Sequence, residues 1–273
     1  MEDIALIAKD IRKKIYQIAH WAGGGHMGAS FSMADIISVL YFDDVLKYDA
    51  ANPACEERDK FILSKGHASY ALYAALAKAG YFPEEELRHV GQVESKFGGH
   101  PKMHDIPGVE ASTGALGHGL SFAIGIAYAN KVDDKKSHVY VICGDGECQE
   151  GSIWEGALSA PTLGLDNMTV IIDHNKLQAM DDLENIVHMA PFADKWEAFG
   201  WNVMEIDGHN YAQIKEALLT RCTGKPNLVI ANTVKGKGVS FMENVPIWHY
   251  RMPNDQELPI LMKELGLTEE DLK

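Results

Sequence analysis

Two short runs in this 273-residue chain join residue types that do chemistry. Gly144, Asp145 and Gly146 (GDG) follow directly on the apolar run 138–143 (HVYVIC). Asp173, His174 and Asn175 (DHN) close a second apolar run, 168–173 (MTVIID). Both runs have the length and composition of buried strands. Open parallel sheets bind ligands outside the carboxyl ends of their strands, so Asp145 stands where a ligand would sit. The flanking glycines let backbone come close to a phosphate. If the two strands are neighbours, a right-handed crossover puts both ends on one sheet edge. Asp145 and Asn175, thirty residues apart in sequence, then meet at one cation. A carboxylate, an amide oxygen and a backbone carbonyl are hard oxygen donors. Magnesium takes about six such oxygens and leaves places for water and phosphate. A lone GDG is a common turn; GDG and DHN at this spacing point to a magnesium diphosphate.

Histidine is the second chemical signal. Of twelve histidines, His26 (GGGHMGAS), His67 (SKGH) and His100 (FGGHPK) stand in glycine-containing loops, and His249 follows Trp248. Histidine titrates near neutral pH and can both take and return a proton. An isolated histidine in such a loop is usually scaffold or solvent-facing.

The elements that must position these groups read as follows. The first 130 residues form helices at about 3–20, 33–42, 67–79, 84–91 and 118–131. In the amphipathic stretch 1–22, Ile4, Ile7, Ile11, Ile15 and Ile18 share one side. Pro83 before Glu84, Glu85 and Glu86 is a good helix start. From 138 onward strands alternate with helices: strands 138–143, 168–173, 202–206 (NVMEI) and 228–233 (LVIANT), helices at 152–163, around Trp196 and at 211–221. That alternation means βαβ units and a parallel sheet flanked by helices, an α/β fold. We read one domain over 1–273, with a helical part at 1–135, a βαβ core at 136–250 and a short tail at 251–273.

Composition excludes some partners. Thirty-nine acidic against 25 basic residues give a net charge of -14, without the basic stripe of a nucleic-acid surface or a polybasic membrane patch. No stretch approaches the roughly 20 apolar residues of a membrane helix, and the amino terminus lacks a signal-peptide pattern. Cys55, Cys143, Cys148 and Cys222 form no CxxC pair and no zinc spacing. They read as reduced thiols of a cytoplasmic protein.

The flanks narrow the reading. The segments 64–67 (SKGH), 112–119 (STGALGHG), 144–155 (GDGECQEGSIWE) and 235–238 (KGKG), followed by Trp248 and His249, resemble transketolases, in the family's order over nearly the whole chain. The resemblance implies a thiamine-diphosphate-binding (pyrophosphate-domain) fold and transfer of a two-carbon ketol unit from a ketose phosphate to an aldose phosphate. It implies that Asp145, Asn175 and the carbonyl of Leu177 hold Mg2+, for which Ca2+ or Mn2+ could substitute. It places Gly144, Gly146 and Glu147 at the diphosphate, with Lys235 adding positive charge there. Lys65 and His67 would sit over cofactor and substrate, and Gly114 and Leu116 would border the cofactor rings. His26 and His100 would hydrogen-bond the sugar, and His249 would join His26 in proton transfer. Glu150 and Glu155 would belong to a carboxylate network across a dimer interface.

Two positions depart locally from the family: His118, where Gln is frequent, and His174, where Asn is frequent. The run after His249 (YRMPND) also drifts. The larger departure is that full-length transketolases continue with pyrimidine-binding and carboxy-terminal domains, which carry the glutamate that activates the aminopyrimidine. The expectation is a natural end at 268–273 (TEEDLK) and a second subunit supplying those domains in an α2β2 assembly. Two alternatives stand beside it. One is a subunit of a 1-deoxyxylulose-5-phosphate synthase or 2-oxoacid dehydrogenase, which the SKGH, GGHP and WH histidines disfavour. The other is a non-catalytic homologue that retains the fold.

Overall fold

The computed structural model describes residues 2–179 and 181–273. Helix α1 spans Ile4–Ala22; Met1, in the amphipathic stretch, lies outside the described residues. Asp3 caps the helix by accepting from the Ala5 N–H at 3.0 Å, and Gly23 ends it in the left-handed conformation. Ile7, Ile11, Ile15 and Ile18 are buried, which is the side the periodicity selects.

Five parallel strands make the main sheet, in the order β1 (Lys60–Leu63), β2 (Val139–Gly144), β3 (Met168–His174), β7 (Asn227–Asn232), β6 (Asn202–Asp207). A two-stranded antiparallel ribbon, β4 (Leu177–Gln178) with β5 (Asp181–Asp182), follows β3. Alternate residues of the central strands point into two cores. Tyr140, Ile142, Ile171 and Val229 face α1, α3 (Ala34–Phe42), α4 (Ser69–Lys78) and α9 (Tyr211–Leu219). Val141, Cys143, Val170, Ile172 and Ile230 face the side of α5 (Gly119–Val132) and α6 (Gly151–Thr162). Helices on both faces explain why these strands are almost continuously apolar.

Four parts of the structure differ from the sequence reading. Lys60–Leu63 (KFIL) is a strand within the part read as helical; four residues are too short for periodicity to separate strand from helix. Met27–Ser32, read as a glycine loop, is a buried helix, α2. The tail contains α10 (Leu258–Leu265), whose Leu261 and Leu265 join the core that includes α1. The expected helix after Pro83 is a 3-10 turn, Glu84–His89. Short helices α7 (Leu183–Ile186) and α8 (Phe192–Ala198) complete the chain, and Trp196 of α8 is fully buried. Among the described residues no helix is long and apolar enough to cross a membrane. All four cysteines are free. Burial pushes the Cys143 and Cys148 thiols well above their ordinary range.

Candidate active site

Strands β2 and β3 are neighbours, with Gly144 opposite Asp173, so their carboxyl ends share one edge. Asp145 leaves β2 and Asn175 leaves β3 into the same cleft, a cavity of about 250 Å³. Asp145 is 3% exposed. Its Oδ1 accepts from the Gly146 N–H at 2.8 Å and its Oδ2 from the Lys176 N–H at 2.6 Å. Lys176 presents that N–H from a left-handed backbone, φ 65°, a conformation unusual for a side chain with a Cβ. Burial, then the nearby Asp173 carboxylate, pushes Asp145 up to about 7.

The cleft gathers nearly all the expected residues: His26, Lys65, His67, Gly114, Leu116, Gly144, Asp145, Gly146, Glu147, Asn175, Leu177, Lys235 and His249. His100 is exposed at the rim, its ring 6.4 Å from that of His26. Glu150 and Glu155 are exposed and do not line the cleft. Three further lining residues, Ala29, Gln178 and Ala179, carried no signal in the sequence.

Three imidazoles crowd together. The His26 ring lies 5.3 Å from His67 and 5.1 Å from His249, and His67 lies 5.7 Å from His249. Glycines stand where the walls around these rings pack too closely for a side chain. Gly25 has φ 151°, and a Cβ on it would fall 2.2 Å from the Tyr70 ring. Gly114 has φ 146°, and its Cβ would lie 3.0 Å from His100. Desolvation lowers the pKa of all three clustered histidines, and neighbouring cations lower it further. His67 falls well below 6.5, His249 to about 4, and His26 is also lowered. All three are therefore neutral at pH 7. Lys235, lowered to about 8 chiefly by burial, keeps its proton there. Its Nζ donates to His249 Nδ1 and to the Leu177 carbonyl, each at 3.1 Å. That fixes the His249 proton on Nε2.

The side chain of Glu147 is also placed in a way the sequence did not reveal. Its carboxylate accepts from Ser64 Oγ (2.5 Å), the Gly117 N–H (2.9 Å) and the Gly144 N–H (3.0 Å), tying three cleft loops together. Tyr250, in the run that drifts from the family pattern, places its exposed ring 4.8 Å from His26.

These residues fit a divalent cation and a diphosphate. Asp145 is a carboxylate whose charge is opposed by burial and by the nearby Asp173, and a cation would relieve that. Asn175 and Leu177 offer an amide and a carbonyl oxygen in the same cleft. Among the described residues no three His, Cys, Asp or Glu side chains are poised around one metal position, as expected where two of three donors are neutral oxygens. Lys65 and Lys235, both buried, supply positive charge for an anion.

Comparison with known proteins agrees with this geometry. Residues 5–272 match the family described as transketolase, thiamine diphosphate binding domain. The chain is 45% identical over 260 residues to one subunit of the apulose-4-phosphate transketolase of Actinobacillus succinogenes, covering 94% of each. It is 42% identical over 243 residues to the 6-deoxy-6-sulfo-D-fructose transketolase subunit SqwG of a Clostridium species, covering 88% of each. Among solved structures it superposes on Campylobacter jejuni transketolase with a TM-score of 0.87 at 33% identity, covering 97% of this chain but 42% of that one. The chain belongs to the transketolase family, as its thiamine-diphosphate-binding domain. It spans less than half the length of the solved transketolases it resembles.

Proposed function

We propose that this chain is the thiamine-diphosphate-binding subunit of a two-polypeptide transketolase. The enzyme transfers a two-carbon ketol unit from a ketose phosphate to an aldose phosphate. The observation that carries the reading is one cleft with Asp145, Asn175 and Leu177 grouped together and three neutral histidines crowded beside them. The near-full-length match to relatives named as subunits supports the split arrangement.

Asp145, Asn175 Oδ1 and the Leu177 carbonyl would hold Mg2+, or Ca2+ or Mn2+ in its place. Lys65, Lys235 and the backbone of Gly144, Gly146 and Glu147 would receive the diphosphate, and Gly114 and Leu116 would border the rings. Bound thiamine diphosphate supplies the electron sink for breaking and making the carbon–carbon bond. The chain handles position and protons. Neutral His26 and His67 can accept a hydroxyl proton and return it, while His249, its Nδ1 lone pair taken up by Lys235, acts on the donating side of proton transfer. His249 presents Nε2–H because Lys235 occupies Nδ1. His100 at the rim would bind a sugar hydroxyl. We also assign one domain over 1–273, a cytoplasmic setting, and a role in carbohydrate metabolism of the pentose phosphate type. The partner would carry the pyrimidine-binding and carboxy-terminal domains. Glu150 and Glu155, exposed away from the cleft, are free to meet another chain in an α2β2 assembly.

The test is ketol transfer from xylulose 5-phosphate to ribose 5-phosphate, with thiamine diphosphate and magnesium. It is run on this chain alone and co-expressed with the polypeptide encoded beside it. Activity only in the mixture is expected. Full turnover by this chain alone would overturn the split reading. A mixture that binds cofactor but turns over only in the presence of pyruvate would overturn ketol transfer.

A further inference from the structure

Asp173 lies at the carboxyl end of β3, is fully buried, and does not line the cleft. Its Oδ2 accepts from Ser32 Oγ (2.5 Å), from Lys65 Nζ and from Asn175 Nδ2 (3.2 Å), and its Oδ1 accepts from Thr233 Oγ1. These four donors come from α2, from the turn after β1, from the loop after β3 and from the loop after β7. The same four segments supply Ala29, Lys65, Asn175 and Lys235 to the cleft wall. One carboxylate thus braces four walls of the site from behind.

We propose that Asp173 is the positioning residue of the cation site: it selects the amide orientation of Asn175 and fixes the segments that carry Lys65 and Lys235. This inference rests on the reading of Asp145, Asn175 and Leu177 as cation donors. The two ends of an asparagine amide are nearly the same size, and only the oxygen end can bind a cation. An ionised carboxylate only accepts hydrogen bonds, so Asp173 can hold only the NH2 end of Asn175. The amide oxygen is left on the other side, where it accepts from the Leu177 N–H at 3.2 Å. The same link ties Asn175 to Leu177, whose carbonyl is the third candidate ligand. The Lys65 ammonium and two hydroxyls hold the rest of the carboxylate, two of these donors on Oδ2 and one on Oδ1.

The experiment is calorimetric titration of thiamine diphosphate, with Mg2+ and with EDTA, into the full chain assembled with its partner. Loss of a residue that orients metal ligands costs about 10–100-fold in affinity, and Asp173→Asn is expected to show that loss in the Mg2+-dependent part. The exchange Asp173→Asn with Asn175→Asp returns one carboxylate and one amide to the pair, and is expected to recover most of the loss. A purely structural role would gain nothing from that exchange. Wild-type affinity in Asp173→Asn, or an exchange as weak as the single variant, overturns the proposal. Should Asp173→Asn lose its cooperative thermal transition, Ser32→Ala and Thr233→Val decide. Each removes one donor to Asp173 from outside the cleft lining. Binding weaker by roughly two- to tenfold at an unchanged melting temperature supports the proposal; no change in either overturns it. A wild type whose affinity is the same with Mg2+ and EDTA overturns the cation reading, and the proposal with it. A Mg2+-dependent wild type beside an unaffected Asp173→Asn overturns the proposal alone.

Discussion

The two ends of the main sheet are built from the same strands and use buried polar groups in opposite ways. At the amino-terminal end the groups pair with each other. Asp59 accepts from the His138 N–H (2.7 Å) and the Lys47 N–H (3.0 Å). His138 Nε2 meets Thr169 Oγ1 (2.9 Å), and Asn202 donates to Asn227 (2.8 Å). Burial pushes His138 down to about 3, so it stays neutral. At the carboxyl end Asp145, Glu147, Asp173, Lys65 and Lys235 crowd together, all buried. Burial and a like charge raise Asp145, while burial lowers Lys235. Buried charges are costly unless well paired, and groups with perturbed pKa values cluster where chemistry is done. One end closes the fold; the other holds charge ready for a ligand.

Four experiments can break or sharpen this contrast. Asp145→Ala is expected to abolish Mg2+-dependent binding of thiamine diphosphate in calorimetry; unchanged affinity would move the cation elsewhere. His67→Ala is expected to lower kcat by about 10²–10⁴ with a native melting temperature, and an unchanged rate would make the imidazole scaffold. Thr169→Val removes the side-chain partner of His138 and should cost about 1–3 kcal/mol of stability, read by denaturant unfolding. Cofactor affinity should hold, and a parallel loss of affinity would erase the division between the two ends. The smallest effect concerns pH. All three clustered histidines are lowered below their ordinary range, so with Mg2+ and cofactor saturating, which keeps Asp145 ionised, kcat should fall less from pH 7.5 to 6 than an unshifted histidine would make it. An unshifted histidine would cost about fourfold over that interval. Stability from these groups has a definite sign. The unfolded state takes up protons below about 6.5 while the folded cluster resists them, so their contribution falls as pH drops from 6.5 toward the value of about 4 for His249. Asp145, raised to about 7, acts oppositely: its contribution is present at low pH and lost as pH rises through 7.

Much of the site was legible because its residues sit in local runs with chemical meaning. GDG and DHN lie at ends of apolar runs long enough to read as strands, and parallel pairing followed from the alternation. SKGH and GGGH stand in the family's motif order, which is what set their histidines apart from ordinary loop scaffold. What escaped was non-local or short. Lys60–Leu63 is four residues with no period to read. Met27–Ser32 is a helix because tertiary burial overrides its glycine-rich neighbourhood, Gly23 to Gly25 and Gly28. Asp173 stood inside a quoted motif, yet its role depends on Ser32, Lys65 and Thr233, none of which announces a partner in sequence. Glu147 was expected to offer backbone; that its carboxylate would brace Ser64, Gly117 and Gly144 required coordinates.

The Asp173 brace also bears on how the protein is made. Its partners Ser32, Lys65 and Thr233 lie 141, 108 and 60 residues away along the chain. Contacts of such separation form late, after the loops between them have been closed. A chain emerging from the ribosome can build α1 early, but it cannot complete the brace until β7 and the segment after it have been synthesised. The brace therefore closes late, and it can close only where β1, β3 and β7 already stand in their native places in the sheet.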